Sequence, residues 1–359
     1  MTKIDPFTRT PGVAGQAYID NGIADEIINN FCSEESNKCV YKITGLRGSG
    51  KSVEYSKVIR AIKEKKDWLV YTLSAAGDAI ETLIAKMNME SFLNSKSETT
   101  AISSTASLSG HVLSVEGEGS ISISRSFTDN DRYYSQEAVL TDLIKKANKK
   151  KYKVLIGIDD ISKTQSMVKF LSIFGSMILE GLQVYLVVTG LSQNIEDFSS
   201  EKNLTFFKRA DSKEIKALNK YDIVYMYEKL LKVNTEEAKR LQELSGGYAY
   251  AYQVLGSLYF SKSDAETVED ILSDFDRILF RDSYDLIWRD LTPAEKNLVK
   301  CIYESKTGKT EDIKALMKNP GTYSVYRDRL INKHIVDGDD RGYLKIQLPR
   351  FDKFIEIWG

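Results

Sequence analysis

The chain has little of what builds covalent or metal frameworks. Three cysteines (Cys32, Cys39, Cys301) and two histidines (His111, His334) occur in 359 residues. They form no CxxC pair and no His-rich ligand spacing, so neither a disulfide scaffold nor a zinc centre is expected. An excess of charge of one sign is also missing: 50 Lys+Arg stand against 51 Asp+Glu, a formal net of −1. Any basic surface for a polyanionic partner must therefore be local. No run approaches the ~18 apolar residues that a spanning helix needs, and the opening MTKIDPFTRTPG has no apolar leader segment. These absences predict a cytoplasmic chain with no membrane partner. What is present, 42% hydrophobic and 28% charged residues, is the composition of an ordinary globular protein, and the length predicts two or three domains.

Four short runs rich in Val, Ile and Tyr, at 39–44 (CVYKIT), 69–73 (LVYTL), 154–158 (VLIGI) and 184–188 (VYLVV), read as strands buried on both faces. Helical patterns lie between them, at 52–64 and 135–149. The alternation predicts an α/β layer fold with a parallel sheet. Residues 94–128, rich in Ser, Thr and Gly, interrupt the rhythm and read either as a hairpin insertion or as a loop.

From about residue 211 the pattern becomes helical, with three start signals: Asn234 with Glu237, Ser263 with Glu266, and Thr292 with Glu295 followed by Pro293 at the first helical position. LTPAEKNLVKCIYES opens a further unit. A second short helix near 310–317, the Pro320-Gly321 break, a third helix to about 334, and the runs HIVDG and YLKIQL around Asp339-Asp340-Arg341-Gly342 spell a winged helix-turn-helix ending in a hairpin.

The most specific signal is Gly45-Leu46-Arg47-Gly48-Ser49-Gly50-Lys51-Ser52, a full GxxxxGK[ST] match between a strand and a helix. Glycines let successive backbone N–H groups turn toward one anionic centre, and the helix N-terminus adds its positive end. Lys51 suits the β/γ phosphates and the Ser52 hydroxyl suits magnesium. Such a loop predicts a second strand carrying a carboxylate for the metal, and KVLIGIDDIS delivers Asp159 at a strand's C-terminal end. Asp160 falls where many such enzymes place a Glu that orients the attacking water. Its side chain is shorter by about 1.5 Å, which predicts slow hydrolysis.

The order of GLRGSGKS, a strand ending in Asp-Asp, VYLVVTG and a terminal winged helix resembles the AAA+ ATPases of the initiator (origin-recognition) branch and the archaeal-type STAND branch, over nearly the whole chain. DPFTRTPGVAGQAYIDNGIADEIINNF resembles the lead-in that these proteins place over the adenine. The resemblance implies that Thr189 senses the γ-phosphate and that Arg209 in LTFFKRAD, with Lys208 as a substitute, reaches a nucleotide, often a neighbour's. LSGGYAYAYQVLG resembles the lid segment in which Gly-Gly precedes a Pro and a residue facing the phosphates. Here Tyr248 stands in that Pro's place, and Tyr248, Tyr250 and Tyr252 read as lid packing. Asn219-Lys220-Tyr221-Asp222 resembles a guanine-selecting signal but falls at the wrong place for one.

The expected fold is thus α/β, a P-loop NTPase parallel sheet of AAA+ type over 1–210, a helical lid over 211–290 and a winged helix-turn-helix over 291–359. The expected function is a magnesium-dependent ATP switch with slow hydrolysis. ATP/ADP would contact Gly45 through Val53 and Thr189, Mg2+ would sit on Ser52 and Asp159, and Lys51, Asp160 and Arg209 would act in catalysis. Self-association is a further expectation, as is a DNA or protein partner on 291–359. The alternative is a nucleotide-gated DNA-binding regulator. Residues 292–359 hold 13 Lys+Arg against 10 Asp+Glu, a net of +3. Lys318, Arg327, Arg329 and Lys333 cluster at the third helix, but Asp337, Asp339 and Asp340 at the wing tip oppose phosphate.

Overall fold

A computed structural model describes residues 4–93 and 136–359. The segment 94–128, read as a hairpin or loop, lies outside the described residues. Strands β1 (Val40–Thr44), β2 (Trp68–Ser74), β3 (Lys153–Asp159), β4 (Val184–Gly190) and β5 (Asp211–Glu214) form one parallel sheet in the order β2-β3-β4-β1-β5. Their apolar runs have no polar face because both faces are covered. On one face Tyr41, Ile43, Leu155 and Val187 pack under α1 (Ile23–Cys32) and α2 (Lys51–Lys63). On the other, Val154, Ile156, Ile158, Leu186 and Val188 pack under α3 (Ala79–Asn88), α4 (Gln136–Lys149) and α5 (Gln165–Leu179). The strand order inserts β4 between the strand that leads into the phosphate-loop motif and the strand that ends in Asp159. As a result, the C-terminal ends of all three strands converge.

The fifth strand differs from expectation. The four apolar runs did not include it: β5 starts at Asp211, opposite Tyr41. As an edge strand it alternates half-buried and exposed positions, so its polar residues concealed it, and the Ile215 N–H just beyond it bonds to the Thr44 carbonyl (2.8 Å). Two short helices, α6 (Ser192–Asp197) and α7 (Thr205–Arg209), separate β4 from β5.

The second half is helical: α8 (Lys220–Leu231), α9 (Thr235–Ser245), α10 (Ala249–Ser261), α11 (Val268–Leu279), a π-helical turn over Phe280–Tyr284, α12 (Asp285–Arg289), α13 (Pro293–Ser305), α14 (Thr310–Leu316) and α15 (Tyr323–Asn332). Asn219 caps α8 by accepting from the Tyr221 N–H, which accounts for it structurally. Asn234 caps α9, and Thr292 with Glu295 closes a capping box on α13, contacts of about 1 kcal/mol each. The third start signal is displaced. Glu266 does accept from the Ser263 N–H, but that closes a turn, and α11 begins at Val268 behind a Thr267–Asp270 box.

After α15 come β6 (Val336–Asp337) and β7 (Lys345–Ile346), an antiparallel ribbon much shorter than the runs HIVDG and YLKIQL suggested. The chain does not end on this hairpin. Helix α16 (Phe351–Trp358) follows and packs Phe351 and Phe354 against Tyr284 and Trp288. One apolar core runs from Ile223 through Tyr284 to Ile355, across the expected boundary at 290. Phe7 and Ala17 of the N-terminal segment join that core rather than the sheet's. Among the described residues no helix is long and apolar enough to cross a membrane.

Candidate functional site

The phosphate-loop motif turns from β1 into α2 as its sequence requires. Gly45, Gly48 and Gly50 take φ of 149°, 76° and 105°, a range that disfavours any residue with a Cβ. Lys51 is 9% exposed and donates from Nζ to the Gly45 and Leu46 carbonyls at 3.0 and 2.8 Å. Burial pushes its ammonium down to about 8, against the pull of Asp160 and, more weakly, Asp159.

The strand order brings Ser52, Asp159 and Thr189 together. Ser52 Oγ donates to Asp159 Oδ1 at 3.2 Å, and the fully buried Thr189 hydroxyl donates to the same oxygen at 2.5 Å. The Asp160 N–H donates to Thr189 Oγ1 at 2.8 Å, and the Ile161 N–H to the Thr189 carbonyl at 2.7 Å. Thr189 therefore uses its one proton on Asp159. In this arrangement the hydroxyl orients that carboxylate, and Thr189 also lines the cavity described next. Asp160 adopts φ 54°, a left-handed conformation that Asp tolerates better than most residues, and this turns the chain sharply after the first acid.

These groups line a cavity of ≈ 510 Å³, within the range of small-molecule sites. Arg47 through Val53, Asp159, Asp160 and Thr189 all line it. Gly45 and Leu46 do not; they border a neighbouring cavity of ≈ 310 Å³ beside Asp290 and His334. Arg209 is exposed at the end of α7, just before Asp211, which pairs with Tyr41. Arg209 does not line its own chain's cavity, and Lys208 shares its location.

Several lining residues had no local motif. The strap of residues 5–20 crosses the cavity, and its Thr8–Val13 stretch forms one wall. At both of its ends it is fastened to α10: the Thr8 N–H donates to Gln253 Oε1 (2.9 Å) and Ser257 donates to Asp5 (2.6 Å), while Gln253 Nε2 donates to the Ala17 carbonyl (3.3 Å). The later end is also fastened to α2: the Tyr18 hydroxyl donates to the buried Glu54, and Lys57 pairs with Asp20 at 2.9 Å. Tyr250 and Asp282 complete the rim through a 2.9 Å hydrogen bond. Burial, then that bond, pushes the Tyr250 phenol up to about 12, while Arg281 holds Asp282 below the usual carboxylate range. Paired residues Tyr250 and Gln253 in YAYAYQ could have been found as a helical face; Asp282, on the π-helical turn, left no signal.

The third-helix basic set is largely committed within the chain. Lys333 sits 2.9 Å from both oxygens of Glu295, which is 1% exposed. Arg327 pairs with Asp328 and donates to the Gly338 carbonyl. Lys318 and Arg329 remain exposed, the latter over the Tyr326 ring.

The fold and this site define a P-loop α/β protein with the strand order of the AAA+ class. Superposition agrees: the Aeropyrum pernix ORC2 protein, solved as ADPNP–ADP complexes, matches with a TM-score of 0.56 at 13% identity, over 99% of this chain and 94% of that one. The A. pernix ORC1 protein in complex with DNA matches at 12% identity and TM-score 0.45, over 95% and 92%. A STAND protein with a tetratricopeptide repeat sensor from Pyrococcus horikoshii matches at 16% and 0.40, over 100% and 44%. Residues 281–355 match a domain of unknown function, DUF8462. Comparison with curated proteins finds no match. The chain shares the overall fold of the A. pernix ORC2 protein.

Proposed function

We propose that the chain is an ATP-binding, magnesium-dependent switch that hydrolyses ATP slowly. The observation that carries this reading is the convergence of Ser52, Asp159 and Thr189 beside Lys51 on one cavity. The donor set fits magnesium: a hydroxyl and a carboxylate, both hard oxygens, with the remaining positions left to phosphates and water. Among the described residues there is no cluster of three acids, cysteines or histidines that would favour a dedicated cage for another metal. Magnesium on Ser52 and Asp159 would neutralise charge on the phosphates.

The chain's own residues do the rest. Loop N–H groups and the N-terminus of α2 orient the phosphates, Lys51 exchanges its two carbonyl acceptors for phosphate oxygens, and Thr189 holds Asp159 in its aim. Asp160 is placed to accept a proton from attacking water, though its reach is shorter than a glutamate's, so turnover is slow. The strap of residues 5–20 closes over the nucleoside, and ATP and ADP favour different arrangements of α8–α12 against the sheet. Arg209 does not line this cavity, so its part in catalysis would be played on a neighbouring copy of the chain and would require self-association. The test is release of radiolabelled phosphate from ATP with magnesium: wild type exceeding Lys51→Ala supports the enzyme, and equal release by both defeats it. The DNA-regulator alternative draws support from Lys318 and Arg329 alone, since Arg327 and Lys333 are held within the chain.

A further inference from the structure

Tyr248 stands where the lid segment of the resembling families carries proline, and the structure gives its hydroxyl two partners. It donates to the Arg47 carbonyl of the phosphate loop at 2.7 Å and lies 2.6 Å from Ser283 Oγ. With its one proton on Arg47, the phenol must accept from Ser283, so the bonds run in one direction from Ser283 to Tyr248 to the loop. Tyr248 is 6% exposed. It lines the cavity behind the loop, beside Leu46 and Ser49, and Gly48 lines the cavity in front. A Cβ at Gly48 would overlap the hydroxyl, so this contact needs glycine there independently of its φ.

A trans peptide points its C=O and its N–H in opposite directions. Fixing the Arg47 carbonyl on Tyr248 therefore also fixes the direction of the Gly48 N–H, and Gly48 and Ser283 both line the cavity where the phosphates are proposed to bind. Chained hydrogen bonds also polarise one another, which strengthens that N–H as a donor. We propose that Tyr248 is a positioning residue that orients and polarises the Arg47–Gly48 peptide for phosphate binding, with Ser283 of the π-helical turn as its orienting partner. This rests on the reading of the loop as a nucleotide site. It also joins the loop to the segment that matches DUF8462, to which Arg47 is linked a second time by its 4.0 Å approach to Asp290.

The experiment is calorimetric titration of the full chain with ADP and with AMP, both with magnesium. Tyr248→Phe keeps the ring and removes the proton. It is expected to weaken ADP about tenfold, the range for one buried hydrogen bond and the acceptor it leaves unpaired, while AMP changes less than twofold because it lacks the phosphate on the loop. Ser283→Ala is expected to cost ADP about threefold, and the double variant no more than Tyr248→Phe alone. ADP binding within twofold of wild type in Tyr248→Phe overturns the proposal, as does an equal loss of ADP and AMP, which marks a general packing defect. If Tyr248→Phe does not fold, unchanged ADP affinity in Ser283→Ala overturns it and the threefold loss supports it. Wild type that binds neither nucleotide instead sinks the nucleotide reading itself.

Discussion

The phosphate loop and the third helix of the C-terminal unit both present basic residues, and the two use them in opposite ways. Lys51 is buried but held by two main-chain carbonyls, neutral acceptors that carry no charge of their own. Lys333 is held by a buried carboxylate, so another anion would have to evict a full charge from a nearly dry place. A count of lysines and arginines says where positive charge is; the partner each one already has says whether it is available.

This contrast can be tested most severely at its first member. Lys51→Ala is expected to lower ATP affinity about a hundredfold and to abolish turnover, because it removes charge-assisted bonds worth roughly 1.5–3 kcal/mol apiece. A tenfold loss or less in fluorescence titration would put Lys51 outside the site. Lys333→Ala leaves Glu295 buried without its cation and is expected to cost about 2 kcal/mol of stability, discounted because Lys333 is 21% exposed on its side chain. Burial alone would raise the Glu295 carboxyl, but bonds from Thr292 and Lys333 win and hold it low. Its contribution is present above the ordinary carboxylate range and is lost as pH falls through the lowered value. Thermal melts of the variant should therefore converge with wild type in acid.

Asp160→Glu lengthens the second acid and is expected to raise phosphate release about tenfold, with Asp160→Asn at background. A slower Asp160→Glu would mean that the left-handed turn at 160 already sets the reach. A smaller effect concerns pH. Lys51 is charged below about 8, so ADP affinity should fall as pH rises through that value and stay flat in Lys51→Arg. Stability moves the other way, since between about 8 and 10.4 the unfolded chain binds the extra proton. Smallest of all, Lys318→Ala with Arg329→Ala should change retention on duplex DNA at low salt by about threefold at most. Complete loss of retention would return the third helix to the role of DNA reader.

The sheet and its loop were legible because their signals are local. Three glycines at fixed spacing announce positive φ, and runs such as VLIGID announce a strand with no wet face. Where a residue's meaning depends on what arrives from elsewhere in the chain, the reading failed. The hydrogen bond from Thr189 to Asp159 was not foreseen, because it depends on the insertion of β4 beside β3. Arg327 and Lys333 looked free because Gly338 and Glu295 are distant in sequence. Helix α16 was a different miss: Phe351, Phe354 and Ile355 follow a helical period, but the reading stopped at the hairpin run YLKIQL. Asp282, Ser283 and Gln253 reach the cavity only through the packing of α10 and the π-helical turn on the strap.

The fastening of residues 5–20 at two ends has a kinetic side. For a nucleotide held beneath that band as proposed, a sideways exit would require the Gln253 clip on α10 or the Tyr18–Glu54 clasp on α2 to open. Departure then keeps the clock of a local unfastening, and a spent ligand can dwell long after its chemistry is over, which suits a timer better than a fast engine.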